Sequence, residues 1–123
     1  MGRQPRLKYL ELFHRIDLCL DTFPYNGHTT SLDAWWMGVP TVSLCGQTAV
    51  SRAGFSQASN LGLADWVANS PDQFVKLATE RAGDVPQLRE LRSGLRERMS
   101  GSPLMNANLF GRGMEQAYRQ MWR

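Results

Sequence analysis

Two short apolar segments separated by an amphipathic segment constrain the fold of this chain more than any other feature. Residues 16–20 and 41–44 are mostly apolar and short, which is typical of strands buried in a parallel sheet. Residues 29–38 between them have helical spacing. A strand, a helix and a second strand in this order predict a right-handed βαβ unit.

The rest of the chain is predicted to be mostly helical, with one weak third strand at residues 66–68. Helices are predicted over residues 6–14, 51–60, 71–82 and 86–99, and from about residue 104 to the end. Two clear strands and a weak third make a thin sheet, since about five strands are usual. We therefore expect the chain to form part of a larger α/β fold.

Composition predicts a soluble globular protein. The chain has 123 residues and a mass of 13.9 kDa, with 42% hydrophobic and 20% charged residues. No stretch approaches the ~20 apolar residues of a membrane helix. The basic N-terminus has no apolar core after it, so no secretory signal is expected. We therefore expect a cytoplasmic protein with no membrane partner, and Cys19 and Cys45 packed as free thiols in its core.

Charge patterning gives no indication of nucleic-acid binding, although the net charge is +3. Four arginines lie within residues 89–98, interleaved with two glutamates and an apolar stripe. This pattern favours the solvated face of an amphipathic helix, so no nucleic-acid partner is expected. Two histidines and two cysteines lie at no recognised ligand spacing, so no metal site is predicted.

The segment from Asp21 to Asp33 carries the clearest chemical signal. It follows the end of a predicted strand and opens a helix, which is where open α/β sheets bind ligands. Gly27 allows close backbone approach, and the Asn26–Gly27 pair is typical of a loop and tolerates a positive φ. Thr29 or Thr30 can cap the helix. Free N–H groups, two hydroxyls and the positive end of the helix dipole predict a phosphate ligand.

Asp33 has two interpretations that spacing leaves equally open. Its carboxylate lies one turn into the helix and could accept a hydrogen bond from a ribose hydroxyl. Alternatively, Thr30 and Asp33 form a capping box, with Asp in place of the usual Glu. His28 could donate to a phosphate or face a base, but a loop histidine is more often a surface group.

Several separated motifs resemble the C-terminal lobe of the O-linked N-acetylglucosamine (O-GlcNAc) transferase family, bacterial type. The resemblance is carried by DTFPYNGHTT (21–30), DAWWMGVPTV (33–42), Gly46, SR (51–52), LGL (61–63), SPL (102–104) and YRQMW (118–122). These motifs occur in order over nearly the whole chain. The resemblance implies a partial Rossmann-like sheet with helices on both faces, the C-terminal half of a GT-B fold. Residues 1–123 would be one partial domain, the sugar-nucleotide-binding lobe, with a helical tail over about 104–123.

The same resemblance implies a function and a set of ligand contacts. Family members are inverting glycosyltransferases that use UDP-N-acetylglucosamine to modify Ser or Thr of proteins, without a metal or other cofactor. In the family the Gly-His-Thr-Thr turn meets the diphosphate and the Asp one turn later meets the ribose. The matching positions here are Gly27, His28, Thr29, Thr30 and Asp33. The resemblance therefore favours the ligand-binding interpretation of Asp33.

Two further positions are assigned by the same match. A basic residue that follows a proline in the family corresponds to Arg6 after Pro5. A nucleotide-contacting His of the family corresponds to Tyr9, where a phenol replaces the imidazole. The family's catalytic lobe and tetratricopeptide repeats would precede residue 1. No catalytic residue is therefore assigned, and the isolated chain is expected to lack transferase activity.

Two alternatives come from other classes of protein. The chain could be a stand-alone nucleotide-binding domain that binds UDP without transferring a sugar. It could also be an interaction module formed by residues 86–122. In the GT-B fold that the resemblance implies, the last helix tends to cross to the other lobe. The apolar residues Phe110, Tyr118, Met121 and Trp122 are therefore expected to be exposed here, which would allow a homo-oligomer to form.

Overall fold

A computed structural model describes residues 5–122 of the chain. Its sheet contains three parallel strands in the order β1 (Cys19–Leu20), β2 (Thr41–Leu44) and β3 (Val67–Ala68). Cys19 pairs with Thr41, and the second pairing joins β2 to β3. The predicted α/β class with a parallel sheet is confirmed. Residues 1–4 and 123, which include most of the basic N-terminus considered for a secretory signal, lie outside the described residues.

Helices make up most of the described chain. The α-helices are α1 (Arg6–Glu11), α2 (Thr29–Trp36), α3 (Ala53–Asn60), α4 (Pro71–Gly83), α5 (Val85–Ser100) and α6 (Ala107–Met121). Short 3-10 helices lie at Leu12–Arg15, Ala49–Ser51, Ala64–Trp66 and Pro103–Met105. Within residues 5–122, no helix has the combination of length and apolar character that crossing a membrane would require.

The main hydrophobic core packs helices against β2 and β3. Trp35, Trp66 and Leu95 are completely or almost completely buried in it. Trp36, next to Trp35, is half-buried, and the Arg96 guanidinium lies 5.3 Å from its ring centre. Only one of the two adjacent tryptophans therefore fills the core. The cysteines differ from the prediction, because both are half-buried free thiols rather than fully buried residues.

The first strand is shorter than predicted, since it pairs only with the start of β2, and a side chain from α5 holds the backbone before it. Arg92 donates hydrogen bonds to the carbonyl oxygens of Phe13 (3.2 Å) and Ile16. The chain before β1 is therefore held by a guanidinium instead of by a neighbouring strand. The first helix ends at Glu11 and continues as a 3-10 turn.

Helix ends follow the local sequence signals more closely. Gly38 (φ +79°) follows α2 and Gly62 (φ +69°) follows α3, as the glycine positions predicted. The Ser70 hydroxyl accepts a hydrogen bond from the backbone N–H of Gln73 (3.2 Å) at the start of α4. The third helix begins at Ala53 instead of residue 51, since Ser51 belongs to a 3-10 turn that Thr48 caps.

The C-terminal helix α6 exposes an apolar surface. On α6 and at its C-cap, the large apolar residues with more than half of their surface exposed are Leu109, Phe110, Tyr118, Met121 and Trp122. The predicted exposure of the last helix is therefore confirmed. Self-association through it stays a prediction.

Candidate nucleotide-binding site

A single carboxylate fixes the loop between β1 and α2. Asp21 directly follows β1, and its Oδ1 accepts hydrogen bonds from the backbone N–H groups of Gly27 (2.7 Å) and Thr22 (3.0 Å). Its Oδ2 accepts one from the Ser43 hydroxyl of β2 (2.8 Å). Because these donors come from both ends of the loop and from the neighbouring strand, Asp21 closes the loop onto the edge of the sheet.

Asn26 supports the same loop from its buried side. Its side-chain amide donates to the Thr22 carbonyl (2.9 Å), and its Oδ1 accepts from the Gly54 N–H of α3 (3.3 Å). Its own N–H donates to the Val50 carbonyl (3.0 Å). Asn26 is 1% exposed, so its polar groups are satisfied by the loop and by the start of α3.

Gly27 is required for space, not for its backbone angle. Within residues 5–122, positive φ angles occur only at Gly38 and Gly62, so the loop does not use the positive φ that an Asn–Gly pair tolerates. A Cβ on Gly27 would lie 2.3 Å from the Ser31 Oγ and 2.9 Å from the Thr30 Oγ1. The absence of a side chain lets the loop pack against the first turn of α2.

The N-terminus of α2 is open. His28 is the N-cap residue and no side chain caps the helix, so the caps predicted at Thr29 or Thr30 are wrong. The Thr30–Asp33 capping box is also not formed. Among the described residues, the N–H groups of residues 28–31 have no hydrogen-bond acceptor. Four donors and the positive end of the helix dipole therefore remain free for an anion.

Arg6 and Asp33 meet one turn further along α2. The Arg6 guanidinium donates to the Asp33 Oδ1 at 3.1 Å; the Asp33 side chain is 13% exposed and that of Arg6 67%. The other carboxylate oxygen, Oδ2, accepts no hydrogen bond within residues 5–122. Two residues assigned by separate parts of the sequence pattern thus belong to one cluster.

Tyr9 lies beside this cluster with an unsatisfied hydroxyl. Its Oη is buried and has no hydrogen-bond partner among the described residues, and its ring packs edge-on against Phe13 at 5.4 Å. Burial raises the pKa of the Tyr9 phenol, and the negative charge and the hydrogen-bonding capacity of the nearby Asp33 carboxylate raise it further. The phenol is therefore neutral near pH 7, with its hydroxyl next to the Asp33 carboxylate.

Replacing Tyr9 by Phe should leave the free energy of unfolding near neutral pH unchanged or raise it by about 1 kcal/mol, because an unpaired buried hydroxyl is removed. Because the folded protein favours the neutral phenol, the wild type keeps this contribution to its stability in full below pH 10. It loses the contribution as the pH rises from there through the folded-state pKa. Tyr9→Phe should therefore gain stability relative to the wild type above pH 10. Urea unfolding in both pH ranges measures this, and a clear loss of stability in the variant at neutral pH would show that the hydroxyl has a partner.

Two cavities lie on either side of the open helix end. One, of about 260 Å³, is lined by Tyr9, Phe13, Cys19, Leu20, Asp21, Thr22, Gly27, Thr30, Ser31, Ala34 and Thr41. The other, of about 480 Å³, is lined by His28, Ala49, Arg52, Ala53, Ser56 and Gln57. Thr29, which lines neither cavity, is exposed at the start of the helix. The predicted site residues thus surround one helix end, with His28 on a different side from Gly27 and Thr30.

Three residues of the site were missed by sequence reasoning. Asp21 and Asn26 lie inside the motif but had no assigned role, and Gln57 lies on α3, outside it. A carboxylate directly after a buried strand was the available signal for Asp21. No local signal marks Gln57, because its partners are about 30 residues away in sequence. Within residues 5–122, no three His, Cys, Asp or Glu side chains are placed to hold a metal ion.

The fold defines a class of protein: it is that of part of a glycosyltransferase. The whole chain matches 24% of a solved O-GlcNAc transferase mutant from Thermobaculum terrenum, with a TM-score of 0.87 and 36% sequence identity. This match confirms the expected GT-B-type fold for the lobe.

Sequence comparisons identify the family. The family model described as glycosyl transferase family 41 matches residues 12–114. The chain is 40% identical over 115 residues to the probable UDP-N-acetylglucosamine–peptide N-acetylglucosaminyltransferase SPINDLY of Arabidopsis thaliana, covering 94% of this chain and 13% of that protein. It is 33% identical over 107 residues to the UDP-N-acetylglucosamine–peptide N-acetylglucosaminyltransferase of Caenorhabditis elegans, covering 87% of this chain and 9% of that protein. The chain belongs to glycosyl transferase family 41, and it spans about an eighth or less of these relatives.

Proposed function

We propose that this chain is the donor-binding lobe of an inverting protein O-glycosyltransferase and binds UDP-N-acetylglucosamine. The observation that carries the proposal is the open N-terminus of α2, where four consecutive N–H groups lack acceptors within residues 5–122, beside a loop that Asp21 and Asn26 hold in place. The donor comes from the names of the relatives, which are UDP-N-acetylglucosamine–peptide transferases.

The diphosphate is held by the N–H groups of residues 28–31 and by the hydroxyls of Thr29 and Thr30. When a protein Ser or Thr hydroxyl attacks the anomeric carbon, the bond to UDP breaks and negative charge grows on the diphosphate. Fixed N–H dipoles at a helix end stabilise that charge without rearranging. The role of the lobe in the reaction is therefore to stabilise the leaving group, UDP.

Asp33 contacts the ribose in this proposal. Its Oδ1 is occupied by Arg6, and its Oδ2 is available to accept a hydrogen bond from a ribose hydroxyl. The ion pair with Arg6 fixes the direction of the carboxylate. The Asp33 carboxylate can therefore bind Arg6 through one oxygen and the ribose through the other.

Thr30→Ala and Asp33→Ala should each weaken UDP binding about tenfold, since each removes a hydrogen bond to a charged or buried ligand group. A titration of the full chain with UDP, followed by amide NMR signals, measures this. Thr79→Ala, at an exposed position on α4, is the matched control and should bind like the wild type. Wild-type affinity in both site variants would contradict the proposed contacts.

Sugar transfer by the parent protein is proposed to require parts of the relatives that this chain does not match. Acceptor-dependent release of UDP by the 123-residue chain, well above a blank, would contradict this. The alternative of an interaction module rests on the exposed face of α6. A UDP titration distinguishes this alternative, because a module that acts only through α6 is not expected to bind UDP at residues 28–31.

A further inference from the structure

Gln57 connects α3 to the loop that precedes α2. Its side-chain amide nitrogen donates to the carbonyl oxygens of His28 (3.2 Å) and Gly27 (3.4 Å). Gln57 is 6% exposed, so these contacts are shielded from water. One buried amide group therefore holds two consecutive peptide groups.

These two peptide groups carry N–H donors of the open helix end. In a planar trans peptide the N–H points opposite to the C=O. Holding the Gly27 carbonyl toward Gln57 turns the His28 N–H away from it. The His28 carbonyl also accepts a hydrogen bond from the Leu32 N–H (3.0 Å), so Gln57 and the first turn of α2 together set the direction of the Thr29 N–H. Gln57 thus helps to direct two donors without touching the ligand.

The helix that carries Gln57 is itself fixed to the sheet. A Cβ on Gly54, one turn earlier in α3, would lie 2.5 Å from the Ser43 Cβ and 2.7 Å from the Asp21 Oδ2. Such close approach leaves α3 little freedom to shift relative to the end of β2. Because α3 is fixed to the end of β2, the hydrogen bonds of Gln57 hold the loop at a fixed position relative to the sheet.

Packing alone does not explain a glutamine at this position. Its Oε1 is buried and has no hydrogen-bond partner among the described residues, which costs stability. An apolar side chain of similar length would avoid that cost. A buried polar atom without a partner is expected where a residue is kept for its role at a functional site and not for stability.

We propose that Gln57 is a positioning residue, which orients the His28 and Thr29 N–H groups toward the diphosphate. This inference rests on the proposed function for its ligand, but the orientation itself is a property of the free protein. The two parts can therefore be tested separately.

The test compares Gln57→Met, which removes both donors at similar length, with Gln57→Glu, which keeps the shape but has no N–H. Ser59→Ala, at an exposed position on α3 that lines neither cavity, is the control. In the free protein, both Gln57 variants should shift the amide signals of His28 and Thr29 and speed their hydrogen exchange. Their affinity for UDP should fall about tenfold. Thermal unfolding identifies which variants are folded.

Unchanged His28 and Thr29 signals in a folded Gln57 variant would overturn the positioning role, as would unchanged UDP affinity despite shifted signals. A merely structural glutamine would lower the melting temperature and leave those amide signals in place. If the wild type itself fails to bind UDP, the proposed function is contradicted, and the free-protein signals still decide whether Gln57 orients the two peptide groups.

Discussion

Replacing Gly38 by Ala should lower the free energy of unfolding by about 3 kcal/mol. Gly38 follows α2 with a φ of +79°, where an L side chain is strained. An added Cβ would also lie 2.6 Å from the backbone oxygen of Arg92 in α5. Because that atom belongs to a helix backbone, relief requires α2 and α5 to separate. Urea unfolding of the two proteins measures the loss.

Two other glycines provide matched controls for the two contributions to this loss, the backbone strain and the close contact with Arg92. Gly62 has a φ of +69° but open space around it, so Gly62→Ala should show the backbone strain alone, about 1 kcal/mol. Gly94 lies within α5, also in open space, and Gly94→Ala should stabilise the chain by about 0.5–1 kcal/mol. A Gly38→Ala loss no larger than that of Gly62→Ala would show that the close approach to Arg92 is not a constraint.

Asp21→Ala should reduce the affinity for UDP about tenfold or more, because the loop loses the acceptor for three donors. The N–H groups of Gly27 and Thr22 would then be released from the sheet edge, and the start of α2 would no longer be held. We also expect a loss of about 2 kcal/mol in the free energy of unfolding. UDP titration and urea unfolding of the same sample separate the two effects.

Asp21→Asn is the control that separates hydrogen bonding from charge. The Asn side-chain oxygen can still accept from Gly27 and Thr22, and its amide can donate to the Ser43 hydroxyl. The substitution also removes a negative charge near the diphosphate, so UDP should bind at least as tightly as to the wild type. An Asp21→Ala variant with wild-type affinity, or an Asp21→Asn variant as weak as Asp21→Ala, would contradict the proposed role of the carboxylate.

The elements that local sequence specified were predicted well. Residues 41–44 form β2 as predicted, because Pro40 and Gly46 bound an apolar segment that is buried in the sheet. Ser70 and Pro71 fix the start of α4 through a cap and a restricted φ. In these cases the signal and its effect lie within a few residues of each other.

The errors occur where a distant residue decides the outcome. A strand expected over residues 16–20 keeps only its last two residues, which pair with the start of β2, and Arg92 of α5 binds the Ile16 carbonyl before them. The loop before α2 is held by Asp21, whose position directly after a strand was an available signal, and by Gln57, whose bonds to the loop no local pattern reveals. The motif predicts a phosphate ligand, which stays a prediction, whereas the groups that hold the loop required the structure.

The most direct measurement compares UDP with uridine as ligands of the full chain. Both are titrated while the backbone amide signals are followed by NMR. If the helix end holds the diphosphate, UDP should shift the signals of residues 28–31 in a saturable way, and uridine should leave them nearly unchanged. Equal shifts with uridine, or no shifts up to millimolar UDP in a folded sample, would contradict diphosphate binding at the N-terminus of α2.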